Sequence, residues 1–291
     1  MGGIAVVTDS LGNIPAETAT KHDINVIPFH IVLNGRAYLE GRDITYASFY
    51  KRYDLYHVKK VEAPPEHDYV LFYMKLARMH PAMVLLHSSA SPGNLFATAL
   101  SVHEKMRHEH GCKVACVDTG TLGPAHGLLA ILAAQAAAAG ATMHQVLSLL
   151  FSAIPQTRLY IHPGATRGTR KLPGGGLFRA TPVLTVGKKG ELAPADEVKV
   201  KKGRFLMDMA RHAREDAGGQ PVMLAVTAPD PEALNERILP PFEESLDCRL
   251  VMAEATCPSV AVDLGPEAIQ IAYVKLGGLG QQPVPGGRIA A

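Results

Sequence analysis

The apolar runs of this chain are short, and three of them end in clusters of polar residues, as buried strands do where they enter loops. Ile4-Ala5-Val6-Val7 runs into Thr8-Asp9-Ser10, and Met83-Val84-Leu85-Leu86 runs into His87-Ser88-Ser89. A third strand, 113–117, runs into Asp118-Thr119-Gly120. Between these strands lie segments with helical patterning: 16–22, 45–53 with Thr45 as its cap, 69–79, and one after Pro92. An Ala-rich helix is opened by Pro124 and stopped by Gly140. Thr142 and Gln145 form a capping box for one more helix, reaching about Ile154. Residues 25–33 read as a further strand, closed by an Asn34-Gly35 turn. This alternation predicts an α/β domain over 1–155, with a mainly parallel sheet flanked by helices.

The second half has its own pattern. Strands are expected at 181–186 and 197–201, on either side of Lys188-Lys189-Gly190, and again at 222–226, 249–253 and 269–274. A helix spans 204–217, and another starts at Pro231 and is broken by Pro240-Pro241. These predict a second α/β domain over 156–276, with a mixed sheet. The stretch 162–176 is rich in Gly, Pro and Arg and reads as a loop; it lacks the G-K-[ST] ending of a phosphate-binding P-loop. The cluster Lys199, Lys201, Lys202 and Arg204 reads as a solvated face. The Gly- and Pro-rich tail 277–291 is expected to lack fixed structure.

In a parallel sheet the C-terminal ends of the strands share one edge, where ligands bind, so the three polar clusters converge there. The turn from His87 to Asn94 carries the most chemistry. Ser91 is placed to cap the next helix, Pro92 fits its first position, and Gly93 leaves that end bare of side chain. Three hydroxyls would then stand beside unpaired backbone N–H groups, a setting for a carboxylate or phosphate. The plainer alternative is that these residues only cap helices.

Composition narrows the function. A net charge of +2, 6% aromatics and no Trp argue against a nucleic-acid surface. Cys112, Cys116, Cys248 and Cys257 form no metal-type spacing and read as reduced thiols. His103, His108 and His110 lie near the first two, but His108-Glu109-His110-Gly111 reads as the polar end of a helix, so no metal is expected. No G-x-S-x-G, H-E-x-x-H or dinucleotide-binding G-x-G-x-x-G occurs, so no catalytic residue and no cofactor is assigned. A Ser/His/Asp hydrolase built from Asp9, His87 and Ser89 is the lesser alternative. The apolar run 128–139 is interrupted by Gln135 and is too short for a membrane span, and no charged leader precedes the first strand. A soluble cytoplasmic protein is expected.

Taken in order, several blocks resemble the DegV family of fatty-acid-binding proteins. Thr8-Asp9-Ser10 is similar to its opening T-D-S, and Asp23-Ile24-Asn25-Val26-Ile27-Pro28-Phe29 to its next strand. Tyr38-Leu39-Glu40-Gly41-Arg42-Asp43-Ile44 with Phe49-Tyr50, Ser88-Ser89 through Gly93, Val117-Asp118-Thr119, Thr181-Pro182-Val183-Leu184 with Gly190, and Leu264-Gly265-Pro266 follow in family order. The resemblance implies two α/β domains with a long-chain fatty acid in a tunnel between them, its carboxylate held by hydroxyls. It also implies a separate fatty acid kinase as partner.

Several positions depart from the family pattern. Val61 stands where the family has a Thr that contacts the carboxylate, Asp263 where it has a His, and Glu267 where it has a Gly. Asn94-Leu95 replaces a Thr-Tyr pair, and Arg167 is the best match to a shortened Gly-rich loop. The expected ligand-binding residues are therefore Ser88, Ser89, Ser91, Gly93, Asn94, Val61, Asp263 and Arg167, with Ser89 as the donor to the head group. Two acidic replacements would repel a carboxylate, which leaves a cationic or neutral amphiphile as a second reading.

Overall fold

The computed structural model describes residues 3–57, 59–91, 93–106, 111–163, 183–187, 190–198, 200–201 and 203–279, with the backbone of 289–290. Strand β1 (Ile4–Asp9) is followed by a single 3-10 turn, Ser10–Gly12, and helix α1 (Ala16–Lys21). The expected strand 25–33 is two strands, β2 (Ile24–Ile27) and β3 (His30–Leu33). Pro28 lies at the break, where a missing N–H interrupts a ladder. The Asn34-Gly35 turn, with φ of 49° and 82°, joins β3 to β4 (Arg36–Leu39). Helix α2 (Tyr46–Lys51) is capped by Thr45 Oγ1, which accepts from Ser48 N. Strand β5 (Lys59–Glu62) was not expected, because Lys-Lys-Val-Glu carries no alternation; it pairs antiparallel with β3.

Then follow α3 (Glu66–Ala77), β6 (Ala82–His87), α4 (Leu95–Met106), β7 (Lys113–Asp118), α5 (Gly123–Ala138) and α6 (Met143–Ala153), the last with the expected capping box. The second half contributes β8 (Thr157–His162), β9 (Leu184–Val186), β10 (Leu192–Pro194), α7 (Phe205–Ala217) and β11 (Val222–Ala228). It continues with α8 (Pro231–Ala233), α9 (Pro240–Glu243), β12 (Cys248–Ala255), α10 (Pro258–Leu264) and β13 (Ile269–Lys275). The strand expected at 197–201 is displaced: the partner of β9 is β10, where Leu192 is buried, whereas Glu197 and Lys201 lie on the surface side. Ile289–Ala290 forms β14, an antiparallel edge strand on β7, at the end of the tail expected to be unstructured.

The strands form three sheets. The first, in the order β14-β7-β6-β1-β2, is parallel apart from β14; the second, β10-β9-β8-β13-β11-β12, is mixed; the third is the small antiparallel sheet β4-β3-β5. This is the expected α/β class, with a mainly parallel sheet in the first half and a mixed one in the second. Helix α5 packs on β1 of the first sheet and on β13 and β11 of the second. Its residues from Gly123 to Ala134 are all buried, as a helix apolar on every side requires. The largest core cluster therefore runs through both sheets, while a smaller one joins the small sheet to α2 and α10. Among the described residues no helix is long and apolar enough to cross a membrane.

Candidate ligand-binding site

The register places His87 opposite Asp118, and β1 lies on the other side of β6, so the three polar strand ends stand together on one edge. Beneath that edge is a buried hydrogen-bonded network. Asp9, His87 and His126 are 1%, 0% and 1% exposed. Asp9 Oδ1 accepts from Leu11 N at 3.1 Å. Asp9 Oδ2 lies 2.8 Å from His87 Nδ1. A carboxylate only accepts, so His87 Nδ1 donates, and with that tautomer Nε2 accepts from the Tyr69 hydroxyl at 2.5 Å. Burial first, then the nearby Cys116 and Asp9, pushes the Tyr69 pKa well above the ordinary phenol range.

His126, in the first turn of α5, lies between Thr8 Oγ1 at 2.7 Å and Thr119 Oγ1 at 2.8 Å. Burial pushes its pKa down, against the pull of Asp9, so the ring is held neutral. The sequence reading did not single out Tyr69 or His126. The available signal was a histidine inside an otherwise apolar helix, a placement that requires hydrogen-bond partners.

The serine turn above this network differs from expectation at its helix end. Helix α4 starts at Leu95, not at Pro92, because Gly93 and Asn94 take left-handed backbones, φ 74° and 49°, that no helix accommodates. Ser91 still serves the helix: its Oγ accepts from Leu95 N at 3.0 Å and donates to Ser88 O at 2.6 Å. Asn94 Oδ1 accepts from Ala97 N at 3.2 Å. Three of the N–H groups expected to be unpaired are already bonded within the protein. Ser89 N donates to Asp118 Oδ1 at 3.0 Å, Ala90 N to Ser88 Oγ at 3.1 Å, and Ser91 N to Ser88 O at 3.2 Å. What remains is the hydroxyl of half-buried Ser89, which has no hydrogen-bond partner among the described residues.

The end of β5 packs against this turn, and two other expected ligand residues lie on β5 and on the helix beside it. A Cβ on Gly93 would stand 2.9 Å from Ala63 Cβ, so the turn sits tightly against the end of β5. Val61 on β5 pairs with Ile31 and packs into both the main and the smaller core. Helix α10 packs on β5 and brings in half-buried Asp263 near its end, whereas Glu267 is exposed. From the second sheet, Gly190 reaches over the turn, close to Ala90. Arg167 lies outside the described residues, as do Pro92, Thr181 and Pro182.

The model described as "Uncharacterised protein, DegV family" matches residues 3–276. The chain belongs to the DegV family. A DegV domain-containing protein of Caldanaerobacter subterraneus subsp. tengcongensis is 23% identical over 283 residues, covering 94% of this chain and 99% of that relative. In fold the chain is similar to DegV, a fatty acid binding protein from Bacillus subtilis, with TM-score 0.80, 22% identity, and coverage of 94% and 100% of the two chains. It is also similar to a fatty-acid-binding DegV family protein from Thermus thermophilus, with TM-score 0.79, 18% identity, and coverage of 95% and 100%. At these identities the likeness carries the DegV fold.

One group in the DegV signature region has more weight than its sequence suggested. Glu40, after β4, is buried and bonded across the molecule: Oε1 accepts from Ser259 N at 2.7 Å, and Oε2 from Ser259 Oγ at 2.9 Å and Ser10 Oγ at 2.5 Å. It thereby ties the small sheet and the end of β1 to α10. Burial, reinforced by Asp9, pushes its pKa up to about 7, although the three donors pull the other way. A carboxyl whose folded pKa lies above its unfolded value stabilises most below the unfolded pKa, near 4.5, and loses that contribution as pH rises through about 7. Unfolding free energy should therefore fall between about pH 5 and 8 by on the order of 2 kcal/mol from this group, and Glu40→Gln should flatten that slope. Urea melts across the range would show it; an unchanged slope in the variant would refute the assignment.

Proposed function

We propose that the chain binds a long-chain fatty acid between its two larger sheets, its carboxyl group held at the serine turn with Ser89 Oγ as donor. The observation that carries this is the Ser89 hydroxyl, the one hydroxyl of the turn without an internal partner among the described residues. The Asp118 carboxylate already holds the amides of Ser89 and Gly120, at 3.0 and 2.9 Å, which supports the hydroxyl rather than those amides as the donor. The fatty-acid binding named for the similar proteins of Bacillus subtilis and Thermus thermophilus supports the same ligand class. The function proposed is binding, not hydrolysis, because His87 Nδ1 is bonded to Asp9 and Nε2 to Tyr69, which leaves neither nitrogen of that ring to activate Ser89.

Titration with palmitate or oleate should give saturable binding, and Ser89→Ala should weaken it by about 1–3 kcal/mol. Equal affinity in the variant would remove Ser89 from the site, and no binding of either acid would overturn the reading. Delivery of the bound acid to a fatty acid kinase is the further step the family resemblance implies. It predicts that an added bacterial fatty acid kinase forms acyl phosphate from the loaded protein, and that free acid at the same concentration is a poorer substrate.

A further inference from the structure

A cleft about 900 Å³ in volume opens on the β2 side of β1, and none of the described residues of the serine turn lines it. Ile14, Val26, Pro28 and Phe72 give it an apolar wall, while Glu40, Tyr46 and Glu254 bring polar atoms to it. That volume suits a molecule of ordinary ligand size. Glu254 spends Oε1 on Ala255 N at 2.7 Å, and its other oxygen has no hydrogen-bond partner among the described residues. The Tyr46 hydroxyl has none either. Burial first, then Cys257, Glu40 and Glu254, pushes the Tyr46 pKa well above the ordinary range, so its hydroxyl stays protonated.

Asp23, Glu40 and Glu254 line the cleft against one cation among the described residues, Arg42, whose Nε is turned to Asp43 Oδ1 at 3.1 Å. An anionic head would be repelled here, and a purely apolar ligand would cover two acceptors without satisfying them, which costs free energy. An ammonium group donates to both.

We propose that this cleft is a second ligand site, taking an amine-headed amphiphile whose ammonium group donates to Glu254 and to the Tyr46 hydroxyl while its chain lies on Ile14, Val26 and Phe72. Glu40 is fully bonded to Ser10 and Ser259 and makes no direct contact with the ammonium group. The site is independent of the fatty acid reading, since it shares no residue with the serine turn.

Calorimetric titration with decylamine below its micelle concentration, with decanol and decanoate as controls of equal chain length, tests the proposal. Decylamine should bind one to one, and Glu254→Gln should weaken it by about tenfold or more. Ala19→Phe, which places a ring in the cleft from α1, should abolish binding with the fold intact by circular dichroism. This second variant serves if Glu254→Gln does not fold. Three results would overturn the proposal: equal binding by the wild type and a folded Glu254→Gln or Ala19→Phe variant, displacement of the amine by decanoate, or no binding up to about 1 mM.

Discussion

Replacing Asp9 with Ala should lower the unfolding free energy by about 3–5 kcal/mol, read from urea melts at neutral pH. The carboxylate is 1% exposed and accepts from Leu11 N and from His87 Nδ1, and it lies 3.7 Å from His126 Nε2. Alanine would leave two buried donors unpaired and an empty space between two imidazoles, and an unpaired buried donor costs far more than a hydrogen bond contributes. Asp9→Asn discriminates between charge and shape. Its carbonyl oxygen still serves Leu11 N, while its amide drives His87 to the other tautomer, with Nε2–H now donating to the Tyr69 oxygen. The loss should then be about 1–2 kcal/mol. An Asp9→Ala loss under about 1 kcal/mol would show that the network does not support the sheet edge.

That network also marks the limit of what the sequence made legible. The strand ends of β1, β6 and β7 were readable because each apolar run stops at a polar cluster, and parallel pairing then forces those clusters onto one edge. The Thr142–Gln145 capping box and the Thr45 cap were readable because their partners are three residues away. The contacts that join the halves are not local. Glu40 meets Ser259 across 219 positions, and Asn13 meets Ala255 and Cys257 across 242 and 244. No periodicity encodes such distances.

Local patterning also misled in places. Glu197 and Lys201 flank an apolar alternation that resembles a strand, yet the ladder to β9 is taken by Leu192–Pro194, whose leucine enters the core. At the serine turn, Ser, Pro and Gly in sequence match a helix start, but two successive left-handed residues delay the helix to Leu95. Ser89, the donor proposed for the head group, was legible; the spent amides around it were not, because Asp118 lies on another strand.

Gly127→Ala should destabilise the protein by about 3 kcal/mol, the upper end of what an overpacked core costs. Within an α-helix the same exchange ordinarily stabilises by roughly 0.5–1 kcal/mol, so the sign itself is diagnostic. A Cβ on Gly127 would lie 2.2 Å from Gly12 O and 3.1 Å from Ile14 Cγ1. The first of these is backbone, and the turn that carries it cannot retreat. Asn13, next in the chain, is held at φ 52° with its side chain donating to Ala255 O at 2.9 Å and accepting from Cys257 N at 2.6 Å. Moving Gly12 outward would break the bonds that bind the end of β1 to the segment entering α10. Relief must come instead from shifting α5, the helix packed between both sheets, so the cost spreads through the main core. Thermal and urea melts of the variant would measure it. A variant as stable as the wild type, or more so, would mean that α5 and the turn after β1 are not in backbone contact.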